Sequence, residues 1–273
     1  MKNIPTLSIA FMGVAMLCSI LMFIFLLVFY RKKTKSRYSV FFIGCATFIV
    51  FALVLESIMH NIVLGKIPAI MDNMWLYALY GGLAAGVFEE TGRYVAFRTV
   101  MRKSADKRDA LMYGAGHGGI EVLLVLFMGM ISNLVVSLLI NGGMTDVLLA
   151  SMPDEATAAQ FTEQCAALAD IAPYTFLLGI FERISAVMFH VSASVLVYYA
   201  AKNAKKRWLY PVAILLHAAF DAVAVIVSRL GMNAILVEIM LFVTSLAITL
   251  VSARVYRNMK LDTAEDPAEV IAQ

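Results

Sequence analysis

Charge is scarce in this sequence. Only 15% of its 273 residues are Asp, Glu, Lys or Arg, where a soluble domain carries roughly a quarter. With 62% of residues hydrophobic and a mean hydropathy of +0.83, a soluble domain of usual size is excluded. The excess of base over acid is small: 22 Lys and Arg against 19 Asp and Glu leave +3, too little to argue for nucleic acid as a partner. Cysteine is nearly absent. Cys18, Cys45 and Cys165 show neither paired nor metal-type spacing, which excludes a disulfide framework and a zinc-finger-like site. No internal repeat of fixed period is present.

What remains is long apolar runs. They lie at about 7–30, 38–62, 74–97, 110–140, 173–200, 208–229 and 233–255. Each is long enough for a transmembrane helix at roughly 20 residues per span and far too long for a barrel strand. Lipid offers no partner to free backbone groups, so helix is the expected state of all of them. The sequence thus predicts an all-α, polytopic membrane helix bundle of about seven transmembrane helices, organised as one integral membrane domain over residues 1–260. A polar cytoplasmic tail follows at 261–273. The first run, 24 uncharged residues from Leu7 to Tyr30, exceeds a signal-peptide core and reads as a retained helix. The fourth is long for one span and predicts a tilted or overrunning helix.

Basic residues set the expected orientation. Arg31, Lys32, Lys33, Lys35 and Arg37 fill the first connection, Arg98, Arg102, Lys103, Lys107 and Arg108 the third, and Lys202, Lys205, Lys206 and Arg207 the fifth; Arg254, Arg257 and Lys260 follow the last run. Seven spans place all of these on one side. The opposite side has Lys2, Lys66 and Arg229, and its connection from Asn141 to Ala172 carries Asp146, Asp154, Glu155, Glu163 and Asp170 with no Lys or Arg. The positive-inside rule then puts the N-terminus outside and the C-terminus in the cytoplasm. The expected location is the cell membrane, multi-pass, in a bacterium.

Ionisable groups inside a span cost roughly 2.5–3.5 kcal/mol each at the helix centre on insertion scales and normally face a cavity or a partner. Here they cluster: Glu89, Glu90 and Arg93 on the third run, His117 and Glu121 on the fourth, His190 on the fifth, His217 and Asp221 on the sixth. At about 1.5 Å of rise per residue, Glu89, Glu90, His117, His190 and His217 all lie roughly 10–15 Å from the basic end of their helices. That common depth predicts a polar chamber in the cytoplasmic half of the membrane. Within helices, Glu89 and Arg93, His117 and Glu121, and His217 and Asp221 stand at i, i+4 and share faces. A carboxylate one turn from an imidazole fixes its tautomer or joins it as a metal ligand. His117, His190, His217 and Glu121 therefore form the candidate metal set, matching a catalytic Zn2+ with an open position. Gly114, Gly116, Gly118 and Gly119 let neighbouring backbones approach His117 closely. Glu56, Glu182, Arg183 and Glu238 lie nearer the opposite interface, where snorkelling or structural ion pairs are expected, and His60 is expected to hydrogen-bond between helices.

Three motifs, Glu89-Glu90-x-x-Arg93, Tyr113-x-x-x-His117 and His217-x-x-x-Asp221, resemble those of the CAAX-prenyl-endopeptidase and bacteriocin-processing superfamily of intramembrane proteases. The fuller strings Phe-Glu-Glu-Thr-Gly-Arg-Tyr, Gly-His-Gly-Gly-Ile-Glu and Glu-Arg-Ile-x(5)-His190 are similar to its YhfC branch of bacterial intramembrane metalloproteases, over about residues 75–225. Arg93 follows the second Glu by three residues rather than the four of the prenyl-endopeptidase branch, a spacing closer to the anti-sigma-factor protease PrsW, and His190 is additional to the shared motifs. The resemblance implies that Glu89, with Glu90 as alternate, activates water, that His117 and His217 bind metal or the oxyanion, and that Asp221 supports them.

The first functional expectation is therefore an endopeptidase hydrolysing a membrane protein or peptide within the lipid bilayer. A proton-coupled carrier or metal transporter would also place Glu, His and Asp in the membrane, but calls for polar sites across the full thickness and commonly an inverted repeat. A non-catalytic scaffold or immunity protein is the third reading.

Overall fold

The computed structural model describes residues 2–262, so most of the expected tail, 263–273, lies outside the described residues. The described chain is helical with no strand. The principal helices are α1 (Thr6–Thr34), α2 (Tyr38–Lys66), α3 (Met74–Arg98), α4 (Arg108–Asn141), α5 (Glu155–Asp170), α6 (Thr175–Lys202), α7 (Leu209–Arg229) and α8 (Ala234–Arg257). Six of these, α1, α2, α4, α6, α7 and α8, are long and apolar enough to cross a membrane. The remaining expected span, α3, has 25 residues but stands outside that set. Glu89, Glu90 and Arg93 lie on it, so the residues that make the site also lower its hydropathy. The chain is a multi-pass membrane protein.

Contacts divide the chain into two compact units, one of Met1–Ile24 with Glu121–Arg183 and one of Phe25–Ile120 with Ile184–Gln273. In the first unit Ile4, Met12, Leu168, Ala169 and Phe176 form a buried core. Asn141 ties the start of α1 down: its side chain accepts from the Ile4 N–H at 2.8 Å and donates to the Ile4 carbonyl at 2.9 Å. The acidic connection contains α5. Asp154 caps it, accepting from the Thr157 N–H at 2.7 Å, and that bond holds its carboxyl below the usual range. Arg183 pairs with Glu121 and Glu182, as expected of ion-paired charges in an apolar setting.

In the second unit, small residues decide which backbones meet. A Cβ on Gly82 or Gly86 of α3 would fall 2.4 Å from the Ala218 carbonyl or 2.6 Å from the Ile214 carbonyl of α7. Around His117 the glycines alternate in what they face: Gly116 abuts the Phe41 carbonyl of α2, while Gly114 and Gly118 abut the α carbons of Val191 and Val187 on α6. The first half of α4 is thereby held against two helices at backbone distance. α2 carries a π-helical stretch, Ile49–Glu56, and α4 another, Val122–Phe127. Loops at the basic ends are stitched by charge: Lys202 Nζ donates to the Met101 carbonyl at 2.7 Å, and Asp262 accepts from the Asn203 side chain and the Ala204 N–H.

Candidate active site

Four helices of the second unit each bring ionisable side chains to one place. Because Glu89 and Glu90 are successive on α3, they point about 100° apart. Glu89 meets the histidines of α4 and α6, whereas Glu90 meets Arg93 and α7. The Glu89 carboxylate accepts from His117 Nε2 at 2.8 Å. The same carboxylate lies 3.8 Å from His190 Nδ1 and 3.9 Å from His217 Nε2. Three imidazoles, from α4, α6 and α7, thus face one carboxylate. All four side chains are buried.

Glu90 is fully buried and doubly engaged. It accepts from Arg93 Nη1 at 3.2 Å and from His217 Nδ1 at 2.7 Å. Arg93, itself fully buried, lies 3.5 Å from Glu89 and donates to His190 Nδ1 at 2.7 Å. One guanidinium therefore touches both acids and a histidine, the fixed fork of donors that only Arg supplies. On α7, the far nitrogen of His217 faces Asp221 at 3.4 Å, and the Asp221 side chain, 38% exposed, is the wet edge of the cluster.

The donor set fits a metal ion. Glu89, His117 and His190 each offer a ligand atom, all within 4.8 Å of one another. Two imidazoles and a carboxylate are a known three-ligand set for catalytic zinc. The His117 ring is fixed edge-on to Phe48 at 5.2 Å, and its Nδ1 is buried with no hydrogen-bond partner.

The sequence placed Glu121 and His217 in the metal set beside His117 and His190; the three residues whose ligand atoms gather within 4.8 Å of one another are Glu89, His117 and His190. Glu121 pairs with Arg183. His217 has carboxylates at both ring nitrogens, Glu90 at one and Asp221 and Glu89 at the other. His190, Glu89 and His117 come together as the common depth predicts. His60 hydrogen-bonds between helices as expected: it meets the Tyr80 hydroxyl of α3 at 2.8 Å and the buried Glu56 of its own helix at 3.1 Å.

A family model described as YhfC intramembrane metalloprotease matches residues 18–241, a range that holds every side chain of the cluster. The chain belongs to that family. It is also 37% identical over 226 residues to the uncharacterized membrane protein YhfC of Bacillus subtilis (strain 168), covering 81% of this chain and 86% of that protein. No solved structure matches. A metalloprotease family name implies a metal, and the Glu89, His117 and His190 group is where the donors for one are gathered.

Proposed function

We propose that this protein is an intramembrane endopeptidase that hydrolyses a peptide bond of a membrane-associated protein or peptide at the Glu89 cluster. The supporting observation is the convergence of His117, His190 and His217 on the Glu89 carboxylate within 3.9 Å. Of the three donors, His117 and His190 would hold the ion, Zn2+ in this reading, and Glu89 would stand beside it as base rather than as ligand; when bound the ion would supply Lewis acidity. Glu89 takes the proton of the attacking water and returns it to the leaving amine. His217, with carboxylates at both nitrogens, is placed to donate to the developing oxyanion, and Asp221 holds that ring. Glu90 and Arg93 neutralise each other and fix the angle of α3. The membrane frame of this reading has seven spans, α3 included, with the N-terminus outside, the C-terminus in the cytoplasm and the chamber in the cytoplasmic half.

The test is metal content of purified protein, wild type against a His117→Ala, His190→Ala, His217→Ala variant. About one ion per wild-type chain, lost in a variant that still inserts and folds, supports the reading. A wild-type protein that takes up no divalent ion refutes the metal-dependent form of it.

A further inference from the structure

A cavity of about 590 Å³ lies away from the Glu89 cluster, where the start of α2 meets the segment joining α3 to α4. Lys35, Arg37 and Lys103 line it, together with Ser36. Ser36 is 7% exposed. Its N–H goes to the Thr34 hydroxyl and its carbonyl accepts from Arg31, yet its own hydroxyl is buried without a hydrogen-bond partner. A buried hydroxyl left unmatched is costly and calls for a partner from the cavity it lines.

The second observation is the first turn of α2. Arg37 is its N-cap, extended at φ −65°, ψ 147°, and gives no side-chain cap hydrogen bond. A helix start without a side-chain acceptor presents donors and positive potential; the Val40 N–H already goes to the Arg37 carbonyl at 3.1 Å, and Ser39 of the same turn lines the cavity. Two acids line it as well. Asp106 is forked by the Arg108 guanidinium, with contacts of 2.6 and 2.8 Å, and Asp109 accepts from the Ser104 hydroxyl. Their charges are therefore partly met, whereas Lys35, Arg37 and Lys103 are exposed.

We propose that this cavity binds a phosphate group, that of an anionic phospholipid headgroup, between the start of α2 and the α3–α4 connection. The hydroxyl of Ser36, the Ser39 amide and the three cations recognise its oxygens. Val100, on the cavity wall and 69% exposed, gives the acyl chains an apolar rim that inorganic phosphate would not use. Basic pockets at helix ends on the cytoplasmic face suit such headgroups.

Full-length protein in nanodiscs of phosphatidylcholine, with and without phosphatidylglycerol, tests this by thermal shift and by native mass spectrometry of retained lipid; inorganic phosphate in detergent is the second arm. Phosphatidylglycerol should be retained and raise the melting temperature. Arg37→Ala with Lys103→Ala should weaken retention by about tenfold or more, and Ser36→Ala should weaken it without changing the salt dependence. Lys32→Ala with Arg102→Ala, exposed cations that do not line the cavity, should leave it intact. Equal losses in both cation pairs would reduce the effect to general surface charge and overturn the site. Phosphate binding as tight as lipid binding, lost in the same variants, would keep the site and overturn the lipid as its source. No phosphate-dependent binding in either arm sinks the proposal.

Discussion

Arg93 Nη2 lies 2.7 Å from His190 Nδ1, so the guanidinium of α3 occupies the lone pair of an imidazole on α6. The same nitrogen faces Glu89 at 3.8 Å. A metal ion taking that nitrogen competes with Arg93 for one lone pair, since a neutral imidazole offers only one.

Arg93→Lys tests this relation. Lysine keeps a positive charge beside Glu90 but cannot fork, so the His190 contact is lost while the neutralisation is kept. The expected outcome is a loss of about 1–2 kcal/mol of stability in detergent, with metal affinity unchanged or raised, measured by thermal unfolding and by titration with Zn2+. Weaker metal binding in this variant would show that Arg93 positions His190 rather than competes for it.

Glu89→Gln keeps shape and hydrogen bonding but removes the proton acceptor. Cleavage should fall by about a hundredfold or more, with insertion unaffected and metal retained. Loss of metal together with activity would make Glu89 a ligand rather than the base.

Glu90→Gln acts differently, because Glu90 is buried between Arg93 and His217. Removing its charge leaves Arg93 with only the more distant Glu89. Breaking a buried pair costs about 3–5 kcal/mol, so lower yield and melting temperature are expected, with activity per folded molecule largely kept. Full cleavage by Glu89→Gln with loss only in Glu90→Gln would reverse the assignment.

Glycine substitutions separate packing from propensity. At Gly116 an added Cβ would stand 1.9 Å from the Phe41 carbonyl, and at Gly44 2.2 Å from the Tyr113 carbonyl. Alanine at either position should destabilise by about 1–3 kcal/mol or more and displace His117, seen as reduced metal uptake. Gly13 and Gly129 meet nothing within 4 Å; alanine there should be neutral or stabilising by about 0.5–1 kcal/mol.

Orientation is open to direct measurement. Reporters after Arg102 or Lys205 should be cytoplasmic, and one within 141–172 external. An external signal at Lys205 would remove the seven-span frame.

Helix ends were legible to within a few residues because the apolar runs are interrupted by charge. The cluster was legible in part because depth follows from counting along each helix: Glu89, His117 and His190 are at one level and do meet. Rotation about the helix axis was not legible. The sequence could say that Glu121 shares a face with His117, but only packing shows that Arg183 claims it. The contact between Arg93 and His190 depends on how α3 and α6 face each other, which spacing within one helix does not encode. α5 was hidden in an acidic connection, although Asp154, placed just before Glu155 and an alanine-rich run, carries the signal of a capped helix start.

The glycines flanking His117 make the position of that histidine a property of backbone contact. With α2 and α6 abutting the α4 backbone at Gly116, Gly114 and Gly118, the ring has little freedom left to surrender when an ion or a transition state arrives. Affinity is then gained through entropy already lost in folding. On the proposed function, such a site would adapt to new substrates through its rim, at positions such as the half-exposed Asp221, and scarcely at all through the helix turn that bears His117.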